Sequence, residues 1–367
     1  MIGHKRIPSR EGGVEIVVEE LSKRLVERGF FVDAYNRSDY PKSRKKARVK
    51  PPRFCHGVRL LTVPTLKNNK LNAIVYAFQA SVRALFGGYG AIHYHAEGPC
   101  ITLGIPHFFG IRTVATIHGL DWQRAKWGGF ASRMLKHGEK VAARKADEVI
   151  VLSQNVKEYF KATYGREVHF IPNGITKPEP RAAEIIREKY GLEKDGYILF
   201  LARLVPEKGV HYLLEAYNRL APEKKLVVAG GNNHTAEYIA DIERIAATNK
   251  NIVLTGFVAG RELEELLSNA YIFVLPSDIE GMAITLLEAM SYGNCCLVSD
   301  IPENTEVVGD KALCFRKGDS ADLQEKLVSL LAQPELVEEY RRGASAYICN
   351  KYNWDEVVEQ TMGLYGA

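Results

Sequence analysis

The 367-residue chain alternates two apolar patterns almost from end to end. Short, nearly unbroken apolar runs occur at residues 91–95, 112–117, 146–153, 168–174, 197–202, 226–231, 251–258, 271–276 and 295–299. Such runs are expected of strands buried on both faces of a parallel sheet. Segments 30–35 and 58–63 read as two further strands near the N-terminus. Between the strands, apolar residues recur at helical spacing. Val14, Val17, Val18, Leu21 and Leu25 share one face of a helix over 14–28 that Gly29 ends. Ile74, Ala77, Phe78, Val82 and Leu85 do the same over 71–86, the face predicted to pack on a sheet. Further helices are expected at 156–164, at 210–219, from near Met282, and at 354–365. Strands and helices in strict alternation predict doubly wound parallel sheets of the α/β class.

Length divides this pattern in two. A chain of this size exceeds one ordinary core and suggests two domains of roughly 170 residues each. Pro178 and Pro180 interrupt regular structure at 176–181, the expected linker. The predicted domains are 1–175, with the last helix (352–367) packing back on it, and 176–351. No apolar run reaches the roughly 18 residues of a membrane span, and the N-terminus lacks the apolar core of a signal peptide. The expectation is a cytoplasmic protein. None of the six cysteines forms a C-x-x-C pair, so neither a disulfide framework nor a zinc site is indicated. The net charge of +5 is concentrated at 42–53, in Lys42, Arg44, Lys45, Lys46, Arg48, Lys50 and Arg53. That segment suits a solvated loop or peripheral contact with anionic lipid at the inner face of the plasma membrane. Without interleaved aromatic residues it gives no case for nucleic acid.

Candidate chemistry falls where strands end. After the 271–276 strand comes Pro276-Ser-Asp-Ile-Glu280-Gly-Met-Ala-Ile-Thr-Leu-Leu-Glu288-Ala-Met290, a strand–loop–helix unit at the carboxyl edge of a sheet, where open α/β sheets bind ligands. Glu280 lies in the loop. Glu288, among apolar neighbours in the helix, requires a partner. The amides of Ala283, Ile284 and Thr285 open the helix and suit an anion. After the 197–202 strand, Arg203 and Lys208 share one loop before Gly209, two cations fit for a diphosphate. Gly12 and Gly13 precede the first helix and leave its N-terminus approachable. His93 and His95 share one side of a strand that leads to Glu97, and His118 and Asp121 follow the 112–117 strand. A metal at the histidines lacks a third ligand in the sequence.

The 276–290 stretch, the Arg203-x-x-x-x-Lys208-Gly209 loop and the His118-x-x-Asp121 element together resemble the retaining glycosyltransferases with the GT-B fold, family 4 (group 1 type). The resemblance covers nearly the whole chain and is strongest in its second half. It implies two Rossmann-like domains facing across a cleft. It implies that Glu280 orients the donor sugar, that Glu288 meets the ribose, and that His118 touches the sugar from the first domain. Arg203, Lys208 and the 283–285 amides would hold the diphosphate, helped by the Gly12–Gly13 loop. Gly230, Phe257 and Val258 fall near where such enzymes hold the base through backbone contacts. His95 and Glu97 are candidate acceptor-side residues. Met282-Ala283 departs from the aromatic and glycine of many relatives and bears on the sugar pocket. A second departure is the first strand, of which only Met1 and Ile2 are present. Either that central strand is stunted or the start lies upstream.

The implied reaction moves a hexose from a nucleotide-diphosphate sugar, the UDP series first, to a glycan or lipid-linked acceptor of a cell-surface polysaccharide, with retention. The nucleotide sugar is a substrate, so no cofactor is expected. The chain has no D-x-D motif, and protein cations are expected to replace a metal ion. Two alternatives remain: a nucleotide-sugar 2-epimerase of the same fold, against which the Glu280/Glu288 spacing argues, and an inactive nucleotide-binding module.

Overall fold

The computed structural model describes residues 1–38, 52–65, 72–123, 128–220, 222–231 and 236–366. Most of the basic segment 42–53 lies outside these residues, as does Leu71, the expected start of the 71–86 helix. Among the described residues no helix is long and apolar enough to cross a membrane. The chain forms two compact units, Met1–Asn173 with Trp354–Ala367, and Gly174–Asn353.

In the first unit, β1 (Asp33–Arg37), β2 (Phe54–Cys55) and β3 (Val58–Val63) form one small sheet in the order β1-β3-β2. β4 (Ala91–His95), β5 (Arg112–Ile117), β6 (Glu148–Val151) and β7 (His169–Phe170) form a parallel sheet in chain order. The N-terminal stub lies between the two. Ile2 bridges Tyr94 in parallel, its N–H donating to His93 O (2.9 Å) while His95 N–H donates to Ile2 O (2.8 Å). On the other side Tyr35 N–H donates to Met1 O (3.0 Å). Met1 and Ile2 thus pair on both sides, between β1 and β4. β1 begins later than the apolar pattern suggested. Phe31 is fully exposed, and pairing with β3 sets the start at Asp33. β7 shrinks to two residues, His169 and Phe170, which pair with Ile150 and Val151 of β6.

Helices Gly13–Glu27 and Asn72–Ala84 bury faces that include Val17, Val18 and Leu21 on one and Tyr76, Ala77 and Ala80 on the other. The last helix, Trp354–Gly363, packs on the first: Arg28 pairs with Asp355 (2.7 Å) and Glu359 (3.0 Å), and Arg24 lies 4.9 Å over the Trp354 ring.

The second unit is one six-stranded parallel sheet built from β8 (Tyr197–Leu201), β9 (Lys225–Ala229), β10 (Ile252–Gly256), β11 (Ile272–Leu275), β12 (Cys295–Ser299) and β13 (Leu313–Phe315). Their spatial order is β10-β9-β8-β11-β12-β13. β8 and β11 are wholly buried, which explains their unbroken apolar sequences. From β8 the chain winds outward through β9 and β10, then returns to β11 and winds the other way. The β8/β11 boundary is thus the topological switch point, where loops diverge and leave a crevice at the carboxyl edge. The first unit has the same feature between its N-terminal stub and β4.

Candidate functional site

At the second unit's switch point, the loops after β8 and β11 are laced together. Asp278 N–H donates to Glu207 O (2.9 Å), and Tyr212 OH donates to Asp278 Oδ2 (3.3 Å). Gly209 makes this approach feasible. Its φ is +66°, and a Cβ there would stand 1.9 Å from Pro276 O. With the loops this close, Lys208 Nζ donates to Glu280 Oε1, which also accepts from Ser277 Oγ at 2.7 Å. Both charged side chains are largely buried, with exposures of 13% and 5%. The support continues to the next strand. Ser299 Oγ donates to Ser277 O, and Asn304 Nδ2 donates to Ser299 Oγ (3.1 Å). Glu280 is thus positioned by the ends of three adjacent strands.

Other proposed donor residues of this unit stand at the ends of the same sheet's strands. Arg203 is half-buried on the Lys208 loop. The helix after β11 is Ile284–Ser291, two residues later than expected, because Ala283 is still extended (φ −75°, ψ 105°) and serves as N-cap. Leu286 and Leu287 N–H both donate to Ala283 O, so the amides of Ala283, Ile284 and Thr285 precede the intrahelical bonding pattern. Glu288 is half-buried one turn on. Beside β8, Gly230 has φ +146° and donates its N–H to Gly256 O (2.8 Å); a Cβ would meet Ala202 O at 1.8 Å. Phe257 follows β10 with 57% of its surface exposed, while Val258 is buried. Ser277, Ser299 and Asn304 are members of the site that sequence reasoning missed. Ser277 lay inside the signature stretch, but nothing marked the other two.

The first unit's switch point gathers histidines. His93 and His95 stack with centroids 4.2 Å apart, and His95 Nδ1 is 3.1 Å from His118 Nε2. His93 bonds Thr116 Oγ1 (2.7 Å) and the Tyr365 hydroxyl (2.8 Å), so the chain's last turn buttresses the cluster. Burial, reinforced by neighbouring positive charge, holds both His93 and His95 well below the usual imidazole range and therefore neutral. His4, bonded to Asn36 Oδ1 at 2.9 Å, is likewise depressed by burial to about 3. Ala96 at the end of β4 has φ +72°, a conformation L-residues rarely hold without a structural reason. His95 is fully buried with His118 as its partner. Its geometry therefore aims His118 rather than presenting an open surface.

Glu97 is also fully buried. Desolvation, then the charges of Asp121 and Glu139, push its carboxyl up to about 10, so it is a neutral acid at pH 7. Glu139 accepts from Trp122 Nε1 (2.9 Å), Tyr159 OH (2.8 Å) and Tyr164 OH (2.5 Å). A carboxyl raised in the folded state contributes its full stability below pH ~4.5 and loses it as pH climbs towards 10. Glu97→Gln should flatten this dependence, removing a slope of about 1.4 kcal/mol per pH unit at most. Urea midpoints at pH 6 and pH 7 test it. Equal slopes in variant and parent would show that Glu97 is ionised throughout.

Gly12 caps helix Gly13–Glu27 in extended conformation, and a Cβ there would stand 2.2 Å from Glu15 Oε2. Glu15 Oε1 accepts from Lys5 N–H (2.9 Å). This helix start carries its own carboxylate, so an incoming anion would have to move Glu15; the sequence pattern alone did not reveal that competition. Elsewhere, Glu19, Cys55 and His56 bring ligand atoms within 4.8 Å of one another, a grouping their sequence separation did not signal.

Residues 182–347 match the family model described as glycosyl transferases group 1, and residues 11–177 match that of glycosyltransferase family 4. An alpha-maltose-1-phosphate synthase of Mycolicibacterium smegmatis is 26% identical, over 82% of each chain. A D-inositol 3-phosphate glycosyltransferase of Xylanimonas cellulosilytica is 25% identical over 96% of this chain and 91% of its own. Among solved structures, a sucrose-phosphate synthase of Thermosynechococcus elongatus superposes with a TM-score of 0.81 at 21% identity, covering 96% of this chain and 93% of that one. Anabaena HepE in complex with UDP-glucose gives 0.80 at 16% identity, covering 99% and 98%.

Proposed function

This chain belongs to the group 1, family 4 glycosyltransferases of GT-B fold, and from that premise we propose that it transfers a hexose from a nucleotide-diphosphate sugar, UDP series first, to a glycan or lipid-linked acceptor of a surface polysaccharide, with retention and without a metal. The observation that carries the donor reading is the convergence of Arg203, Lys208, Glu280 and the 283–285 amides at one switch point. In a transfer of this kind a sugar–phosphate bond breaks, the sugar becomes oxocarbenium-like, and negative charge grows on the departing diphosphate. Preorganised cations and helix-terminal amides meet that charge without reorganising. Lys208 has three donor hydrogens, so it can keep Glu280 and still reach a phosphate oxygen. Glu280, held by Ser277 and Lys208, orients the sugar. His118, aimed by His95, is assigned to the sugar as well.

The names of the relatives, a maltose-1-phosphate synthase and a sucrose-phosphate synthase, favour a second reading in which the acceptor is a small phosphorylated sugar. Product analysis with both acceptor classes separates the two. A released, altered sugar with no transfer would instead indicate an epimerase.

Calorimetry with UDP, GDP, dTDP and ADP in EDTA tests the donor site. One nucleotide should bind without metal. Arg203→Ala should weaken it by about 1.5–3 kcal/mol, the range for hydrogen bonds to charged groups. A much smaller loss would remove Arg203 from the phosphates, and binding abolished by EDTA would overturn metal independence.

A further inference from the structure

Three side chains of metal-ligating type converge on the first unit, away from its switch point. β2 and β3 form a hairpin in which Cys55 pairs with Val58, so His56 and Gly57 are its two-residue turn. Both have positive φ, +48° and +77°, as the tight hairpin turn of type I′ requires. The turn presses onto helix Gly13–Glu27: a Cβ at Gly57 would stand 2.6 Å from Val26 Cγ1. Glu19 lies two turns before Val26 on the same side of that helix, so its carboxylate comes up against the turn as well. Glu19 Oε2 accepts from Ser9 N–H (3.3 Å), while Oε1 stands 3.9 Å from His56 Nε2, beyond hydrogen-bond reach. One ligand atom from each of Glu19, Cys55 and His56 lies within 4.8 Å of the other two. The Glu19 side chain is 21% exposed and Cys55 is half-buried, so the cluster is shielded, and His56, 53% exposed, opens it to an ion from solvent.

We propose that Glu19, Cys55 and His56 bind a zinc ion that fastens the hairpin to the helix. Carboxylate oxygen, thiolate sulfur and imidazole nitrogen are all zinc ligands, and bond lengths of about 2.0–2.3 Å place the corners of a tetrahedron about 3.3–3.6 Å apart. The 3.9 Å between Glu19 and His56 is within about half an ångström of that, a difference side-chain rotation closes. Magnesium and calcium demand oxygen ligands and are poorly matched by a set with one carboxylate. Binding releases the Cys55 proton to solvent, and water completes the coordination. β2 is the edge of its sheet, with β3, β1 and the N-terminal stub between it and β4, so the ion stands apart from His95 and His118. Sugar transfer without a metal is therefore unaffected. The apolar core between helix and hairpin is small, with Ile7, Val18, Ala34 and Val58 buried together. A metal cross-link supplies stability that so few buried side chains do not.

Titration of the metal-stripped full chain with Zn²⁺, in competition with a chromophoric chelator, tests the site. One equivalent should bind, and His56→Asn should weaken it by at least about 100-fold, the most that loss of a mere supporting group costs. Asn suits the positive φ of the turn, so this variant keeps the hairpin. Cys55→Ser should weaken binding as much, whereas Cys349→Ser, another half-buried thiol, should leave it unchanged. Co²⁺ in place of zinc should show the sulfur-to-metal charge-transfer band of a thiolate complex, and Cys55→Ser should lack it. Leu60 N–H donates to Arg53 O across the hairpin (2.8 Å), and its hydrogen exchange should slow about 100-fold with free Zn²⁺ at about 100 times its Kd. Exchange in β8 should not change. Absence of one-equivalent binding, or binding that survives both His56→Asn and Cys55→Ser, would overturn the proposal. So would a bound ion that leaves Leu60 exchange unaltered. Nucleotide affinity should be the same with and without zinc; its loss on stripping would move the ion to the donor site. Failure of zinc binding with nucleotide binding intact rejects this site and leaves the transferase reading standing.

Discussion

Lys208→Ala is expected to destabilise the second unit by about 3–5 kcal/mol, the cost of removing one partner from a buried ion pair. Glu280 would keep Ser277 as a partner, but its charge would lie in an environment that excludes water, with its cation gone. Adding Glu280→Gln to that variant should recover a large part of the loss, since the amide retains the Ser277 bond and carries no charge. The chain's three tryptophans lie outside residues 174–353, so tryptophan fluorescence does not report on the second unit. Hydrogen exchange at the β8 and β11 amides is the appropriate measurement. A loss under about 1 kcal/mol would mean that the pair is hydrated, as surface pairs are. The same residues separate binding from chemistry. Glu280→Gln alone should reduce turnover more than nucleotide affinity. Equal reductions would move Glu280 from the sugar to the nucleotide.

Gly209→Ala is expected to lower turnover about 100-fold, the scale on which a misplacement of about 1 Å acts. Two effects combine. An L-residue at φ +66° costs about 1–2 kcal/mol. The new Cβ would also stand 1.9 Å from Pro276 O, a separation only backbone movement can relieve. That movement carries Lys208 away from Glu280. Gly191→Ala is the control. Gly191 has φ +60°, with only the end of the Lys225 side chain near its Cβ position, at 3.5 Å. It should show the strain and keep the turnover. If the two variants had equal turnover, the close approach of the β8 and β11 loops would have no part in catalysis.

Much of the architecture was legible along the chain because buried parallel strands are apolar on both faces and leave unbroken runs. The runs at β8, β11 and β12 were therefore visible, as were the helices that cover them. Boundaries were less so. The Phe30–Tyr35 pattern did not predict a strand beginning at Asp33, because a strand begins where its neighbour is available, and that neighbour, β3, lies further along the chain. The start of Ile284–Ser291 was misjudged for a related reason: Met282 and Ala283 are buried in extended conformation, and their apolar character resembles a helix face.

For the site, the sequence by itself determined which chemical groups stand at strand ends: Arg203 and Lys208 after β8, Glu280 after β11, His118 after β5. Spacing and residue type are local properties, and they survive projection onto one dimension. Only the tertiary structure decided the partners. Lys208 meets Glu280 because β8 and β11 are neighbours across the switch point, though 72 residues separate the two side chains in sequence. His95 aims His118, and Tyr365 buttresses His93 from 272 residues away. Glu97 is a neutral acid because folding removes its water and brings Asp121 and Glu139 near. Sheet order, desolvation and the meeting of charges depend on the whole folded chain, and no segment of it records them alone.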